Sequence, residues 1–312
     1  MLMNMIKERQ IYPKIMENCN ITSLHKKGPK NDFANYRGVF RLPILKSILD
    51  TLIYNSSYET IDKNLSDGNV GCRKERGCRD NIFVISAISN SVVNGTSPPI
   101  QVQVTDVEKC FDKMWLESCI NSLYDAGLQN DMLNLLYIEN KNANIAVKVN
   151  NSLSKRKSVK HVEIQGSVWA GLKCTSMMDT LNQKVISDKS LQYHYKEDKH
   201  IPIGVRGMVD DTLGISNCGN EAIALNSAIN SFIQTQRLTL SEKKSVVIHV
   251  GKKHQTTIPC STLKIHKSNI KEAESAKYLG NLITSGGGVG ETVEERRSKG
   301  WGKVSTIQGI LS

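Results

Sequence analysis

Long hydrophobic runs are missing from this chain. Nothing approaches the roughly 18 consecutive apolar residues of a membrane span, so no membrane partner is expected. The N-terminus, MLMNMIKERQ, breaks into charge too early for a secretory signal. Closely paired cysteines are missing too. Eight stand at positions 19, 72, 78, 110, 119, 174, 218 and 260 without one CxxC spacing, which excludes a zinc ribbon and a small disulfide scaffold. The seven histidines are equally dispersed, so a His/Cys metal centre is not expected. There is no internal repeat and no low-complexity tract. Reduced thiols in an intracellular compartment, cytoplasm or nucleus, fit these absences.

Negative charge is in short supply as well. Lys and Arg number 41 against 30 Asp and Glu, leaving a formal charge of +11 and a pI near 9.2. A surface this basic favours polyanions, nucleic acid before anionic membrane. The plainer alternative is a lysine-rich solvated surface with no particular partner. With 39% hydrophobic and 23% charged residues, the 312-residue chain reads as globular and long enough for two packed subdomains.

A boundary is expected after NSVVNGTSPP (90–99), whose two prolines stop any helix. Ile100, Val102 and Val104 then alternate with polar residues, a strand signature that ends at Asp106. Apolar residues at 116, 119, 120 and 123 predict a helix stopped at Gly127. Residues 144–149 and 158–164 read as strands joined by the basic turn NNSLSKRK, and 168–186 as a helix. Ile201, Ile203 and Val205 lead into Asp210-Asp211, with Leu213 and Ile215 beyond, which predicts a hairpin carrying the aspartates at or beside its turn. An amphipathic helix over 220–236 and a strand over 245–250 follow. The order predicts an α+β fold, an antiparallel sheet with helices on one face.

Fourteen aspartates give roughly 0.6 adjacent pairs by chance, so Asp210-Asp211 alone proves nothing. Its place among apolar strand residues is what matters. Carboxylates there cost several kcal/mol unless a cation or donors satisfy them. Asp106, at the end of another strand, can converge with them. Carboxylates from different strands, without histidine or thiolate, are hard ligands that suit Mg²⁺ shared with phosphates. Two such ions can activate a 3′-hydroxyl and stabilise leaving pyrophosphate.

Seven short motifs point the same way. NYRGV (35–39), GCRKERGCRDNIFVI (71–85), DVEKCFD (106–112), IQG (164–166), MVDD (208–211), LSEKKS (240–245) and KYLG (277–280) resemble, in order, those of the reverse transcriptase domain of a non-LTR (LINE-like) retrotransposon. The resemblance runs from residue 24 to 283. It implies a polymerase right-hand fold: fingers at 1–98, palm at 99–284 with the carboxylates and primer grip, and the start of a thumb helix at 285–312, the thumb being mostly missing. It implies an RNA-directed DNA polymerase, a nucleotidyltransferase that uses two Mg²⁺ ions, an RNA template, a DNA primer and dNTPs, within a longer retroelement polyprotein.

By the same resemblance Asp106, Asp210 and Asp211 would hold metal, and Lys244 would protonate pyrophosphate, with Lys243 one residue of register away. Phe111 would lie under the incoming sugar and exclude a 2′-hydroxyl. Arg37 would clamp the triphosphate, with Lys26, Lys27 and Arg73 as further phosphate contacts. Gln165 and Gly166 would meet nucleotide and template, and Tyr278, Leu279 and Gly280 would hold the primer end. Methionine at 208 replaces the usual aromatic, Cys72 replaces a phenylalanine, and SVWAGLKC follows Gln165-Gly166 without the usual proline. The alternatives are an inactive, truncated relic that only binds nucleic acid, an RNA-dependent RNA polymerase, and a basic interaction protein.

Overall fold

The computed structural model describes residues 2–141, 143–149, 152–159, 164, 166–195, 202–217, 219–251, 263–265, 268–287, 293–298 and 301. The chain forms two compact units, each assembled from three segments. Residues 1–74, 107–180 and 233–239 make the first, and 75–106, 181–232 and 240–312 the second. The turn-rich 90–99 segment therefore lies inside the second unit.

In the first unit the helices Leu2–Arg9, Ile44–Asp62, Leu116–Asp125, Asn130–Lys141 and the early turns of Val168–Ser187 pack around Ile53, Ile61, Leu123, Leu136, Trp169 and Leu172. Pro43 precedes the Ile44 helix, where its fixed φ and missing N–H cost the helix nothing. Gly127, at φ +92°, ends the Leu116 helix as expected. The Leu128 N–H donates back to the Leu123 carbonyl at 2.9 Å and Gly127 to Tyr124 at 2.9 Å, the Schellman pattern that needs a left-handed residue. The same unit holds an antiparallel hairpin, Asn18–His25 with Tyr36–Arg41, whose first strand also pairs in parallel with Asn144–Val149. Of the strand expected over 158–164, Ser158 pairs with Asn144, beside Lys157 with Ile145, and residues 160–163 lie outside the described residues.

The second unit is organised by one sheet. Its strand order is Lys271–Glu272, Val246–Val250, Ile100–Thr105, Asp211–Asn217, Val205–Met208. All pairings are antiparallel except the outermost, Val246–Val250 with Lys271–Glu272, which is parallel. Every residue of the central Ile100–Thr105 strand is buried. Ile100, Val102 and Val104 join Leu213, Ile215 and Ile248 against Ile85, Ile88 and Val92 of the Cys78–Val93 helix. On the opposite face a Cβ at Gly214 would meet Leu225 and Ile229 of the Asn220–Thr235 helix at 3.2 Å, and Asn226 donates to Gln103. The mixed α+β class holds, but helices cover both faces rather than one. Gln101, Gln103 and Thr105, the polar residues of the central strand's alternation, are buried as well.

A second hairpin, Ser275–Tyr278 with Asn281–Thr284, completes this unit. Residues 293–298 are helical and tied to it by Lys277–Glu295 at 2.6 Å and Arg296 to Asn281 at 3.0 Å. Most of the remaining 285–312 segment lies outside the described residues. Among the described residues no helix is long and apolar enough to cross a membrane.

Candidate active site

Strand register brings the second unit's candidate residues together. Thr105 pairs with Thr212, so continuing one residue sets Asp106 opposite Asp211. Val246 pairs with Val104, so continuing two residues sets Lys244 beside Asp106 on the other side. The side chains agree: Lys244 Nζ donates to both Asp106 oxygens, at 2.9 and 3.2 Å. Lys244, not Lys243, is the lysine on this carboxylate. The 241–245 loop is clamped to the same strand end. The Asp106 N–H donates to Ser245 Oγ at 3.2 Å, and the Ser241 N–H donates to the Asp106 carbonyl at 2.8 Å.

Asp210 occupies the tip of a two-residue turn, because Met208 pairs with Asp211. The residue before it, Val209, has φ +61°. Turns this tight need a positive φ, and glycine or asparagine normally supplies it. A β-branched residue there carries strain on the order of 1–3 kcal/mol, which persists where surrounding structure over-determines it. That structure is visible. Asn81 Nδ2 donates to the Gly207 carbonyl at 2.8 Å, Arg206 Nε donates to Asn81 Oδ1 at 3.1 Å, and the Tyr278 hydroxyl donates to the Arg206 carbonyl at 3.1 Å. Tyr278 is buried, and burial pushes its phenol pKa up. The turn after it, Leu279 at φ +48° and Gly280 at φ +79°, has the two positive φ values of a type I′ hairpin.

Sequence reasoning missed Asn81, Arg206 and Ser245. Each carried a signal: Asn81 lies inside the quoted 71–85 motif, Ser245 closes the quoted 240–245 motif, and Arg206 interrupts an otherwise uncharged strand.

The electrostatics ask for a cation. Partial desolvation, then the Asp210 and Asp106 carboxylates, raise the Asp211 pKa, and Lys244 opposes this weakly. Three hard carboxylates repelling one another at one sheet end fit a divalent ion in donor chemistry. They do not form a ready cage: among the described residues no three His, Cys, Asp or Glu side chains converge closely enough to hold a metal. A raised carboxyl pKa means that the folded state binds the proton more tightly than the unfolded. Stability is therefore lost as pH rises from the ordinary Asp value through the raised one. Asp211→Asn should melt about 1–2 °C higher than the wild type at neutral pH, the gain kept small by solvent exposure. The difference should vanish in acid, and Mg²⁺ should raise the wild-type melting temperature more than the variant's; thermal denaturation across pH measures both.

The remaining candidates lie in the first unit. Arg37 is exposed on the Tyr36–Arg41 strand, opposite Leu24, and Lys26 and Lys27 are exposed just past the partner strand. Phe111 is half-buried on the short helix Cys110–Lys113. Gly166, at φ +111°, comes so close to the Phe40 carbonyl that a Cβ would sit 3.1 Å from the oxygen, so the residue type is dictated by backbone approach. Gln165 lies outside the described residues. Arg73 is turned inward. Its Nε pairs with Asp62 at 2.7 Å, and its other nitrogens donate to the carbonyls of Ser66, Asn69 and Asp62, so the guanidinium is engaged in closing the 62–73 loop.

Residues 25–283 match the family described as reverse transcriptase (RNA-dependent DNA polymerase). No curated protein matches the chain. Among solved structures, apo telomerase from Candida tropicalis, truncated from its C-terminal domain, superposes with a TM-score of 0.59 at 14% identity, covering 91% of this chain and 57% of that one. Telomerase from the same organism in complex with a fragment of telomeric RNA gives 0.57 at 14%, covering 86% and 44%. The Candida albicans counterpart, also with telomeric RNA, gives 0.53 at 13%, covering 88% and 45%. The chain spans about half the length of these structures. At such identities the likeness is one of fold, the α+β polymerase right hand.

Proposed function

The chain belongs to the reverse transcriptase family, and from that premise we propose that it extends a DNA primer 3′-hydroxyl on an RNA template with dNTPs, as the polymerase domain of a non-LTR, LINE-like retroelement. The observation that carries this reading is the register that sets Asp106 beside Asp211 and Lys244, with Asp210 at the tip of the adjoining strained turn. The seven ordered motifs support the subtype.

In this reading Asp106, Asp210 and Asp211 hold the metal. Two Mg²⁺ ions bound there would acidify the 3′-hydroxyl and neutralise charge developing on pyrophosphate. Lys244 stands beside these carboxylates as the general acid for the leaving group. By their motifs, Arg37 and Lys27 would offer cationic groups to the triphosphate, Phe111 would exclude a 2′-hydroxyl, and the Tyr278–Gly280 hairpin would steady the primer end. The scattered cysteines favour a reducing compartment, cytoplasm or nucleus.

Primer extension on an RNA template annealed to a DNA primer tests the proposal. Extension with dNTPs and Mg²⁺, abolished by a chelator, is the expected result; tight, salt-sensitive binding of the same duplex without extension would instead indicate a relic. Phe111→Val should raise ribonucleotide incorporation relative to deoxynucleotide by about tenfold. A wild type that already uses both equally would point to an RNA polymerase.

A further inference from the structure

The loop that joins Asn18–His25 to Tyr36–Arg41 is short of acid and carries an aromatic ring in the open. Phe33 is 92% exposed, the most exposed large apolar side chain among the described residues. Between His25 and Arg41 the chain has Lys26, Lys27, Lys30, Arg37 and Arg41 against one carboxylate, Asp32. Lys26, Lys27, Lys30, Arg37 and Arg41 are all exposed.

The loop is not loose. The His25 ring Nε2 bonds to the Gly28 carbonyl at 2.9 Å, Asn35 Nδ2 donates to Pro29 at 2.9 Å, and the Tyr36 hydroxyl donates to Lys30 at 2.8 Å. The Lys26 N–H closes the base on Asn35 at 2.8 Å, and His25 packs edge-on to Tyr36 at 5.3 Å. Gly28, at φ +83°, lets the turn close against the Asn35 side chain, where a Cβ would sit 2.8 Å from Nδ2. A ring held out by a braced backbone, with cations on both sides, has the make-up of a base-stacking platform. Every nucleobase offers a π-face, and neighbouring lysines follow the phosphates.

We propose that Phe33, flanked by Lys26, Lys27 and Lys30, stacks an unpaired base of single-stranded nucleic acid, and that this strand is the RNA template beyond the primer duplex. The identity of the strand rests on the polymerase reading; the stacking does not.

Fluorescence anisotropy of the full chain with a short uridine-rich RNA, and with a blunt RNA–DNA duplex, tests it. Phe33→Ala should weaken the single strand about tenfold and leave the blunt duplex unchanged, and Phe33→Trp should restore binding. The salt slope for the single strand should stay constant in Phe33→Ala and fall by about 1.4 in a Lys26→Ala/Lys30→Ala pair. Unchanged single-strand affinity in Phe33→Ala overturns the proposal, as does full affinity in Phe33→Leu, which keeps an apolar side chain without a ring. These readouts need no catalysis. Failure of primer extension with loss of binding in Phe33→Ala would sink the polymerase and leave the platform, and the converse pair of results would do the reverse.

Discussion

Asp210→Ala is expected to bind primer–template like the wild type and to extend it at least about 10³-fold more slowly. The magnitude follows from what a metal ligand supplies. Lewis-acid stabilisation of charge in a phosphoryl-transfer transition state is worth several kcal/mol, and each 1.36 kcal/mol is about a factor of ten in rate. Binding should survive because Asp210 is a turn residue whose loss removes negative charge from a site that meets polyanions. Folding should survive because the Asn81–Arg206–Tyr278 bonds brace the strand that enters the turn, and none of them involves Asp210. Asp106→Asn should fall as far. It differs in one respect: it also frees Lys244 from its ion pair. Single-turnover extension with a labelled primer, paired with anisotropy on the same duplex, separates the chemical loss from binding. Equal extension by Asp210→Ala and wild type would remove the carboxylates from the chemistry altogether.

The parts of this site that were legible in the sequence were those set by local period and local turn chemistry. Alternation at Ile100, Val102 and Val104 announced the central strand, Gly127 announced a helix end, and Asp210-Asp211 fell at a hairpin turn, all of which the structure contains. What could not be read depends on long-range register. Nothing local sets Lys244 rather than Lys243 on Asp106; that follows only from the pairing of Val246 with Val104. Nor does a basic residue announce its direction. Arg73 and Arg37 both stood in motifs as phosphate contacts, yet Arg73 closes its own loop while Arg37 faces solvent. Nor does alternation say whether the polar face of a strand is wet: Gln101 and Gln103 are buried, and Gln103 accepts from Asn226 of a second helix.

The same blindness hid the largest stability effect. Lys46 and Asp50 sit one helical turn apart in KSILD, the spacing of an ordinary surface pair, but Lys46, Asp50 and Glu139 are all at most 3% exposed, and Lys173 is fully buried nearby. Lys46 Nζ meets Asp50 Oδ2 at 3.2 Å and also contacts Glu139 Oε1. Burial lowers the Lys46 pKa and raises that of Asp50, and each partner's charge opposes the other's shift. Lys46→Met should therefore cost about 3–5 kcal/mol, because it strands two carboxylates in a dry core. At this chain size that is a fall of about 10 °C in melting temperature. Lys46→Met with Glu139→Leu should recover at least half of the loss, since the double variant leaves one buried carboxylate instead of two and Asp50 keeps Lys173 as a charge neighbour. Acid should narrow the single variant's deficit. Burial already raises the Asp50 pKa, so the folded form binds more protons than the unfolded, and stability rises as pH falls toward the ordinary carboxylate range. A single variant that melts like the wild type, or a double that melts below the single, would show that the four charges are not coupled. The core would then tolerate an isolated carboxylate, which burial this complete forbids unless water reaches it.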